Sequence, residues 1–187
     1  MQLTIRSIDR SSPVLPELLR LYRASFPLIE RVDFNIYLND QTGTLDILGF
    51  FHEEAFCGFA ALMTYGDLSQ ILYFAIEEKL RGRGYGAVAL EAMREYYGTG
   101  RIMADLEDPL TQAPGSPERA ERERRIHFYQ RNDYQLTDVR FEWEKENYVM
   151  MISGGALTMK EYASFWKQAE DDRGEGYERM ESESSEA

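Results

Sequence analysis

The stretch 71–97 constrains the fold more than any other part of the chain, because three patterns follow one another in it. Ile71 to Ile76 form a short apolar run rich in aromatic and β-branched residues, which predicts a buried strand. After a glycine-rich segment, apolar residues recur at near-helical spacing, at Ala87, Leu90, Met93 and Tyr97. Gly98 and Gly100 then supply stop signals for a helix. The stretch is therefore predicted to form a strand, a loop and a helix.

The loop between the predicted strand and helix has the composition of an anion-binding site. Gly82, Gly84 and Gly86 lack the Cβ atoms that would keep a ligand away from the backbone amides. The helix that follows directs its free N–H groups and the positive end of its dipole at the same point. We therefore expect this loop to bind a phosphate group.

Two familiar phosphate-binding loops fit the sequence poorly. A Walker loop ends in Gly-Lys-Ser/Thr, and this loop contains no such triplet. The dinucleotide fingerprint G-x-G-x-x-G/A is matched by Gly82, Gly84 and Ala87. However, residues 77–81 separate the strand from the first glycine, and the remaining chain lacks the further βα units of such a domain. A dinucleotide-binding oxidoreductase is kept only as an alternative.

Composition limits the environment of the protein and its partners. The single cysteine, Cys57, excludes an internal disulfide, lies in an apolar strand pattern and is expected to be a buried structural thiol. No apolar stretch approaches the ~20 residues of a membrane span, and the first residues lack the apolar segment of a signal peptide. Two histidines and one cysteine make no credible zinc site, so no metal is expected. These features predict a cytoplasmic protein without a membrane partner.

The charge distribution argues against nucleic-acid binding but permits a small anionic ligand. The net charge of the chain is −12, whereas nucleic-acid-binding domains are usually basic. Lys79, Arg81 and Arg83 nevertheless form a local basic patch beside the glycine loop. Lys79 and Arg83 are equally well interpreted as solvated surface charges.

The rest of the chain predicts an α/β domain over residues 1–169. Strands are expected at 1–9, 45–51, 55–65, 71–76, 101–107, 139–144 and 148–152, and helices after Ser12, at 117–130 and after Thr158. Close succession makes the strands at 45–76 an antiparallel meander, and the intervening helix makes 71–76 and 101–107 parallel. Residues 28–38 suit both periodicities, and we prefer a helix. Residues 170–187, with eight acids and two arginines, are predicted to be a disordered acidic tail.

Two motifs resemble the GCN5-related N-acetyltransferase (GNAT) family. Arg81-x-x-Gly84-x-Gly86 after an apolar strand is similar to the acetyl-CoA loop of that family, Q/R-x-x-G-x-G/A. The segment Arg125 to Tyr134 is similar to its R-x-x-x-F-Y-x-x-x-G-F/Y segment, with Asp133 at the usual glycine. Asp tolerates a left-handed backbone better than most residues, so the turn is expected to survive. The resemblance implies the GNAT acyl-CoA N-acyltransferase fold, a mixed, mostly antiparallel sheet with one splayed parallel pair.

The resemblance also implies a cosubstrate, acetyl-CoA, and the residues that hold it. The expected binding residues are the end of the strand and the loop, namely Phe74, Ala75, Ile76, Arg81, Gly82, Arg83, Gly84, Tyr85 and Gly86. In the family, a backbone N–H of the splayed strand stabilises the oxyanion, which by position is that of Ala75 or Ile76. Tyr129 matches the family's general acid, and its usual pKa of about 10 lies above the ~8.5 of a thiol. An amphipathic core tyrosine is the alternative interpretation, and Phe128 is expected to be a core residue.

The base that deprotonates the amine is left open among three carboxylates. Asp105 and Glu107 share one face of the parallel strand, and Glu77 lies at the end of the neighbouring strand. Any of them could act directly or through water, but a solvated strand-end carboxylate is the commoner explanation for each. Arg122 and Arg125 share the Tyr129 face of their helix and are expected to be solvated or paired with Glu118 and Glu121, rather than bound to substrate or CoA.

These features predict an N-acetyltransferase that moves an acetyl group from acetyl-CoA to a primary amine by direct attack. The amine belongs to a small molecule, a peptide or a protein, and the sequence contains no motif that selects one. The alternative from another class is a non-catalytic CoA-binding regulatory module of the same fold, although the presence of Tyr129 argues against it. A monomer and a homodimer are both compatible with the sequence.

Overall fold

A computed structural model describes residues 1–98 and 100–173, and this part of the chain forms one seven-stranded sheet. The strands are β1 (Thr4–Ser7), β2 (Leu45–His52), β3 (Ala55–Tyr65), β4 (Leu68–Ile76), β5 (Arg101–Glu107), β6 (Gln135–Trp143) and β7 (Glu146–Ser153), in the order β1-β2-β3-β4-β5-β7-β6. The helices are α1 (Leu15–Ser25), α2 (Asn35–Leu38), α3 (Tyr85–Tyr97), α4 (Pro117–Gln130) and α5 (Met159–Arg173). Short 3₁₀ turns occur at Leu28–Glu30, Glu78–Leu80 and Pro109–Thr111.

Helices cover both faces of the sheet. Leu90 of α3 and Tyr129 of α4 lie in one buried cluster with Leu62 of β3. Tyr22 of α1 lies in a second cluster with Ala61, the preceding residue of β3. Because successive side chains of a strand point to opposite faces, α3 and α4 lie on one face and α1 lies on the other.

Helix α5 covers the other end of the α1 face. Phe165 of α5 lies in a third buried cluster with Met63 and Met103, from β3 and β5. At the end of this helix, Arg173 donates a hydrogen bond of 2.8 Å to Asp40, and both side chains are less than a tenth exposed. The contact joins α5 to the loop before β2.

The parallel pair β4–β5 separates along its length, as predicted. The two strands pair only from Leu68, opposite Arg101, to Ile71, opposite Ala104. On the other side of β4, pairing with β3 moves from Ile71 directly to Tyr73, which leaves Leu72 as an extra, bulged residue. A bulge bends its strand and increases its twist, so Leu72 gives a physical reason for the separation from β5.

The sequence predicted most elements correctly, with three corrections. The meander and the parallel pair are confirmed. Residues 28–38 form no single helix, because only the 3₁₀ turn and the four residues of α2 are helical. Helix α1 begins at Leu15, and Ser12 accepts a hydrogen bond from the Asp9 amide instead of capping it. Finally, α5 continues through the predicted boundary at 170 to Arg173; the rest of the predicted tail lies outside the described residues.

Candidate active site

A cavity of about 490 Å³ lies where β4 and β5 separate. Its lining combines residues from the two faces of the sheet. Tyr73 and Phe26 belong to the α1 side, whereas Phe128 and Tyr129 belong to the α4 side. The cavity therefore passes through the sheet between the two strands, and a ligand in it can be contacted from both faces.

The glycine loop lies between the end of β4 and the beginning of α3. Gly82 and Gly84 have φ angles of +72° and +85°, a left-handed conformation that glycine adopts without strain. No atom lies within 4 Å of a Cβ built on either residue, so the space in front of both is open. Helix α3 starts at Tyr85, and the first N–H groups of a helix have no partner within it. The loop thus has the open, positively polarised geometry of an anion site.

Arg81 holds the loop in place. Its Nε donates to the Ile76 carbonyl at 3.0 Å, and its Nη2 donates to the Ser25 hydroxyl at 3.2 Å. The guanidinium therefore links the loop to β4 and α1 besides lining the cavity. Arg83 is exposed, and the ring of Tyr85 packs edge-on to His52 at 6.0 Å.

Gly86 has a packing role instead of an open face. A Cβ at this position would lie 3.1 Å from the Phe128 ring, closer than most real contacts. The glycine lets α3 approach α4, and it thereby fixes the position of Phe128 beside the cavity. Phe128, predicted to be a core residue, is only partly buried and lines the cavity together with Tyr129.

The strand before the loop directs one of the two predicted amides away from β3. The N–H of Glu77 donates to the Cys57 carbonyl of β3 at 2.9 Å. Backbone groups of successive strand residues point to opposite edges, so the N–H of Ile76 faces away from β3, toward the gap beside β5. Of the two predicted oxyanion donors, Ile76 has the suitable direction and Ala75 does not. Phe74 lines the cavity with its side chain.

Tyr129 is buried at the cavity wall, with 7% of its surface exposed. Its ring packs against Phe128 and Tyr134, with centroids 5.5 and 5.1 Å away. Burial raises the pKa of the Tyr129 hydroxyl above its usual value, and the Asp105 carboxylate raises it further, while Arg125 acts in the opposite direction. The hydroxyl therefore stays protonated at neutral pH and can donate a hydrogen bond.

The three candidate bases lie in different surroundings. Asp105 lines the cavity and accepts a hydrogen bond of 2.6 Å from the buried amide of Gln70. Glu107 also lines it but is held by Arg125 at 2.6 Å. Glu77 is buried in an ion pair with Arg20 and is not among the described residues that line the cavity. Of the three, Asp105 and Glu107 thus lie where a ligand in the cavity can meet them.

The arginines of α4 form ion pairs that the sequence did not predict. Arg122 donates two hydrogen bonds to the Glu146 carboxylate, at 2.9 and 2.8 Å, and Arg125 pairs with Glu107. The carboxylate raises the pKa of Arg122, and the guanidinium lowers that of Glu146. The expected pairing of these arginines within α4, to Glu118 and Glu121, is wrong.

Several residues of the cavity wall were not predicted from the sequence. Leu72, the bulged residue, lines the cavity, and so do Glu30 from the turn after α1 and Tyr148 from β7. Strand periodicity places Tyr148 on a predicted strand, but nothing local indicates that the strand borders the gap. Leu72 had no signal, because a bulge depends on the pairing of two strands.

Two further findings, on a metal site and on membrane-spanning helices, concern the described residues only. In the ranges 1–98 and 100–173, no cluster of three or more histidine, cysteine or acidic side chains is suited to hold a metal ion. Among the helices of the same ranges, none has the length and apolar character needed to cross a membrane.

Comparison with known proteins identifies the fold. A scan against protein-family models finds no match, and neither does a search of curated proteins. Among solved structures, the chain is similar to a GNAT-family acetyltransferase described as putative, from Bacteroides thetaiotaomicron, with a TM-score of 0.73 and 22% identity over 89% of this chain and 96% of that one. An aminoglycoside 6'-N-acetyltransferase in complex with coenzyme A gives a TM-score of 0.61 and 18% identity over 80% and 96% of the two chains.

A third similar structure has acetyl-CoA bound. It is a GNAT-family acetyltransferase from Elizabethkingia anophelis, with a TM-score of 0.53 and 15% identity over 81% of this chain and 97% of that one. The alignments cover nearly the whole length of these three chains. The chain therefore has the fold of the GNAT acetyltransferases, as its two motifs predicted.

Proposed function

We propose that this protein is an acetyl-CoA-dependent N-acetyltransferase that acetylates a primary amine by direct attack. The observation that carries the proposal is the cavity through the sheet, which has Tyr129, Asp105 and Arg81 of the glycine loop in its wall. The coenzyme A and acetyl-CoA complexes among structures of the same fold support acetyl-CoA as the cosubstrate.

The loop would hold the pyrophosphate of acetyl-CoA through backbone amides. The left-handed glycines and the first turn of α3 direct N–H groups to the open space in front of Gly82 and Gly84. Arg81 adds positive charge while it keeps the loop against β4. The exposed Arg83 lies within the loop and can pair with a phosphate on the solvent side.

The gap between β4 and β5 would hold the thioester. Attack by the amine forms a C–N bond and places negative charge on the thioester oxygen. The N–H of Ile76 faces the gap and would donate to that oxygen. Collapse of the intermediate breaks the C–S bond and releases the thiolate of CoA.

Tyr129 would assist the departure of this thiolate. Its raised pKa keeps the hydroxyl protonated, so it can donate to the sulfur as the negative charge develops. Because the pKa of the Tyr129 phenol is higher than that of a thiol, the phenol acts mainly as a hydrogen-bond donor to the sulfur. After the C–N bond forms, the nitrogen loses a second proton, and this proton neutralises the thiolate.

Asp105 would receive the proton of the amine, directly or through a water molecule. An alkyl ammonium has a pKa near 10.4 and must lose a proton before it can attack. Asp105 is positioned by Gln70, whereas Glu107 and Glu77 are held by arginines. This geometry favours Asp105 among the three carboxylates considered.

Two measurements test the proposal and separate it from a non-catalytic CoA-binding module. Calorimetric titration should detect acetyl-CoA binding to the wild type. A thiol-release assay with a panel of primary amines should then detect turnover. Binding without turnover of any amine would favour the regulatory module, and absence of binding would contradict both. The dinucleotide alternative fails already, because the sheet is mostly antiparallel and not doubly wound.

A further inference from the structure

A second cavity, of about 250 Å³, lies between β6, β7 and α5. Five of the ten residues that line it are aromatic, and together we call them the aromatic pocket: Phe141, Trp143, Tyr148, Tyr162 and Trp166. None of these residues was singled out as part of a site by its sequence pattern. The volume is ample for one ring, because a cavity of about 150 Å³ is enough to bind benzene.

The aromatic pocket adjoins the cavity through the sheet. Leu72, Asp105 and Tyr148 line both. Asp105 therefore lies at the junction of the two spaces. A molecule with its amine at Asp105 can extend its other end into the aromatic pocket while acetyl-CoA occupies the gap between β4 and β5.

The aromatic side chains of the pocket are arranged in contact with one another. The ring of Phe141 stacks on Tyr148, with centroids 5.1 Å apart and an angle of 9°, and on Tyr162 at 5.3 Å and 25°. Such ring faces favour a further aromatic ring in an offset or edge-on position. They also attract a cation through their negative faces.

The polar groups of the pocket indicate the charge of its ligand. Asp105, Glu142 and Glu170 are the ionisable carboxylates in the lining, and no lysine or arginine is among the described residues there. The indole Nε1 of Trp166 is buried and has no hydrogen-bond partner among the residues that the structure describes. The lining therefore suits a molecule that carries positive charge and an apolar ring, and it repels an anion.

We propose that the acceptor is an arylalkylamine, a primary ammonium joined by a short alkyl chain to an aromatic ring. This inference rests on the proposed acetyltransferase function. The ammonium meets Asp105 at the junction, and the ring enters the aromatic pocket. The predominance of aromatic carbon over carboxylates in the wall favours a ring over the second ammonium of a diamine.

Binding to the CoA-loaded protein tests this substrate class without requiring turnover. Calorimetry with saturating CoA should show that phenethylamine and tryptamine bind at least tenfold tighter than 1,5-diaminopentane. Trp143→Leu should weaken phenethylamine binding at least tenfold and leave the Kd of CoA unchanged. Tyr96→Leu is the matched control, since Tyr96 is 51% exposed on α3 and does not line the pocket.

The outcomes distinguish the two proposals. A diamine that binds as tightly as the arylalkylamines would overturn the substrate class, whether or not Trp143→Leu folds. Equal effects of Trp143→Leu and Tyr96→Leu would exclude the aromatic pocket as the ring site. Failure of acetyl-CoA to bind the wild type in the calorimetric titration proposed above would instead overturn the acetyltransferase function itself.

Discussion

The amide of Gln70 on β4 donates a hydrogen bond of 2.6 Å to the carboxylate of Asp105 on β5. The bond crosses the two strands near the point where their pairing ends, at Ile71 and Ala104. Gln70 is 1% exposed, and its Nε2 also donates to the Ile71 carbonyl. A buried amide thus fixes the orientation of the carboxylate that lies at the junction of the two cavities.

Replacement of Gln70 should impair use of the amine without affecting acetyl-CoA binding. Gln70→Leu preserves volume but removes the donor to Asp105, and a hydrogen bond to a charged group contributes about 1.5–3 kcal/mol. We expect kcat/KM for the amine to fall roughly tenfold, since 1.4 kcal/mol corresponds to a factor of ten. The Kd of acetyl-CoA should stay unchanged. Steady-state kinetics with an accepted amine and calorimetry with acetyl-CoA measure the two quantities.

The variant Gln70→Glu provides the contrast. It keeps the shape of the side chain but places a second carboxylate against Asp105, so activity should fall further than in Gln70→Leu. If both variants acted like the wild type on the amine, Gln70 would be structural only.

A charge in the glycine loop should abolish acetyl-CoA binding. Gly84 has a φ of +85° and open space in front of it. Gly84→Asp places a carboxylate where the phosphate would approach, and we expect the Kd of acetyl-CoA to rise beyond the calorimetric range. Gly66→Asp is the control. Gly66 also has a positive φ, +61°, and open space around a Cβ built on it, but it lies just before the first residue of β4, whereas the glycine loop follows the last. If a folded Gly84→Asp variant kept its affinity for acetyl-CoA, the glycine loop would not be part of the binding site.

The end of α5 should stabilise the domain, contrary to the boundary that composition suggested. Arg173 pairs with Asp40, and both side chains are buried. Truncation after Glu170 removes Arg173, and we expect a loss of about 2 kcal/mol, since a buried charge loses a charged partner. Truncation after Arg173 should leave the melting temperature nearly unchanged, because residues 174–187 contain few apolar side chains. Equal melting temperatures of the two truncations would contradict the role of Arg173.

The contribution of Arg173 should depend on pH. Burial acts to raise the pKa of Asp40, but hydrogen bonds from Thr42 and Arg173 outweigh it, and the pKa in the folded state is lowered. A carboxylate whose pKa is lower in the folded state stabilises the fold fully at pH values above its pKa in the unfolded state, about 3.9. This contribution is lost as the pH falls through the pKa of the folded state. The difference in melting temperature between wild type and Arg173→Gln should therefore be full at pH 7 and shrink below about pH 4.

Local sequence patterns were sufficient to predict the helices and strands that bury a continuous apolar face. The stretch 71–97 and the meander before it were predictable, because period-two and helical spacing directly reflect burial on the sheet. The conformation of residues 28–38 was not predictable, because their apolar residues fit both helical and strand periodicity. In the structure they contain two short helical segments. The bulge at Leu72 depends on the register with β3, which no single strand encodes.

Pairs between distant residues account for most of what the sequence missed in the site. Glu77 and Glu107 were as good candidates for the base as Asp105 until Arg20 and Arg125 were found beside them. The contact between Arg173 and Asp40, which are 133 residues apart, likewise could not be predicted from local patterns. Composition indicated a solvated tail, whereas tertiary contact decides how far the helix continues.

The substitution Tyr129→Phe most directly tests the proposed role of the Tyr129 hydroxyl at the departing thiolate. It keeps the ring contacts with Phe128 and Tyr134, so the melting temperature and the Kd of acetyl-CoA should change little. Loss of the hydroxyl should lower kcat by about 10²-fold, the low end for a general acid, because a thiolate is already a fair leaving group. The raised pKa also predicts that the wild-type kcat shows no loss from Tyr129 ionisation up to about pH 10. Equal kcat values for wild type and Tyr129→Phe would end the assignment, and a weakened Kd would instead make Tyr129 a contact of CoA.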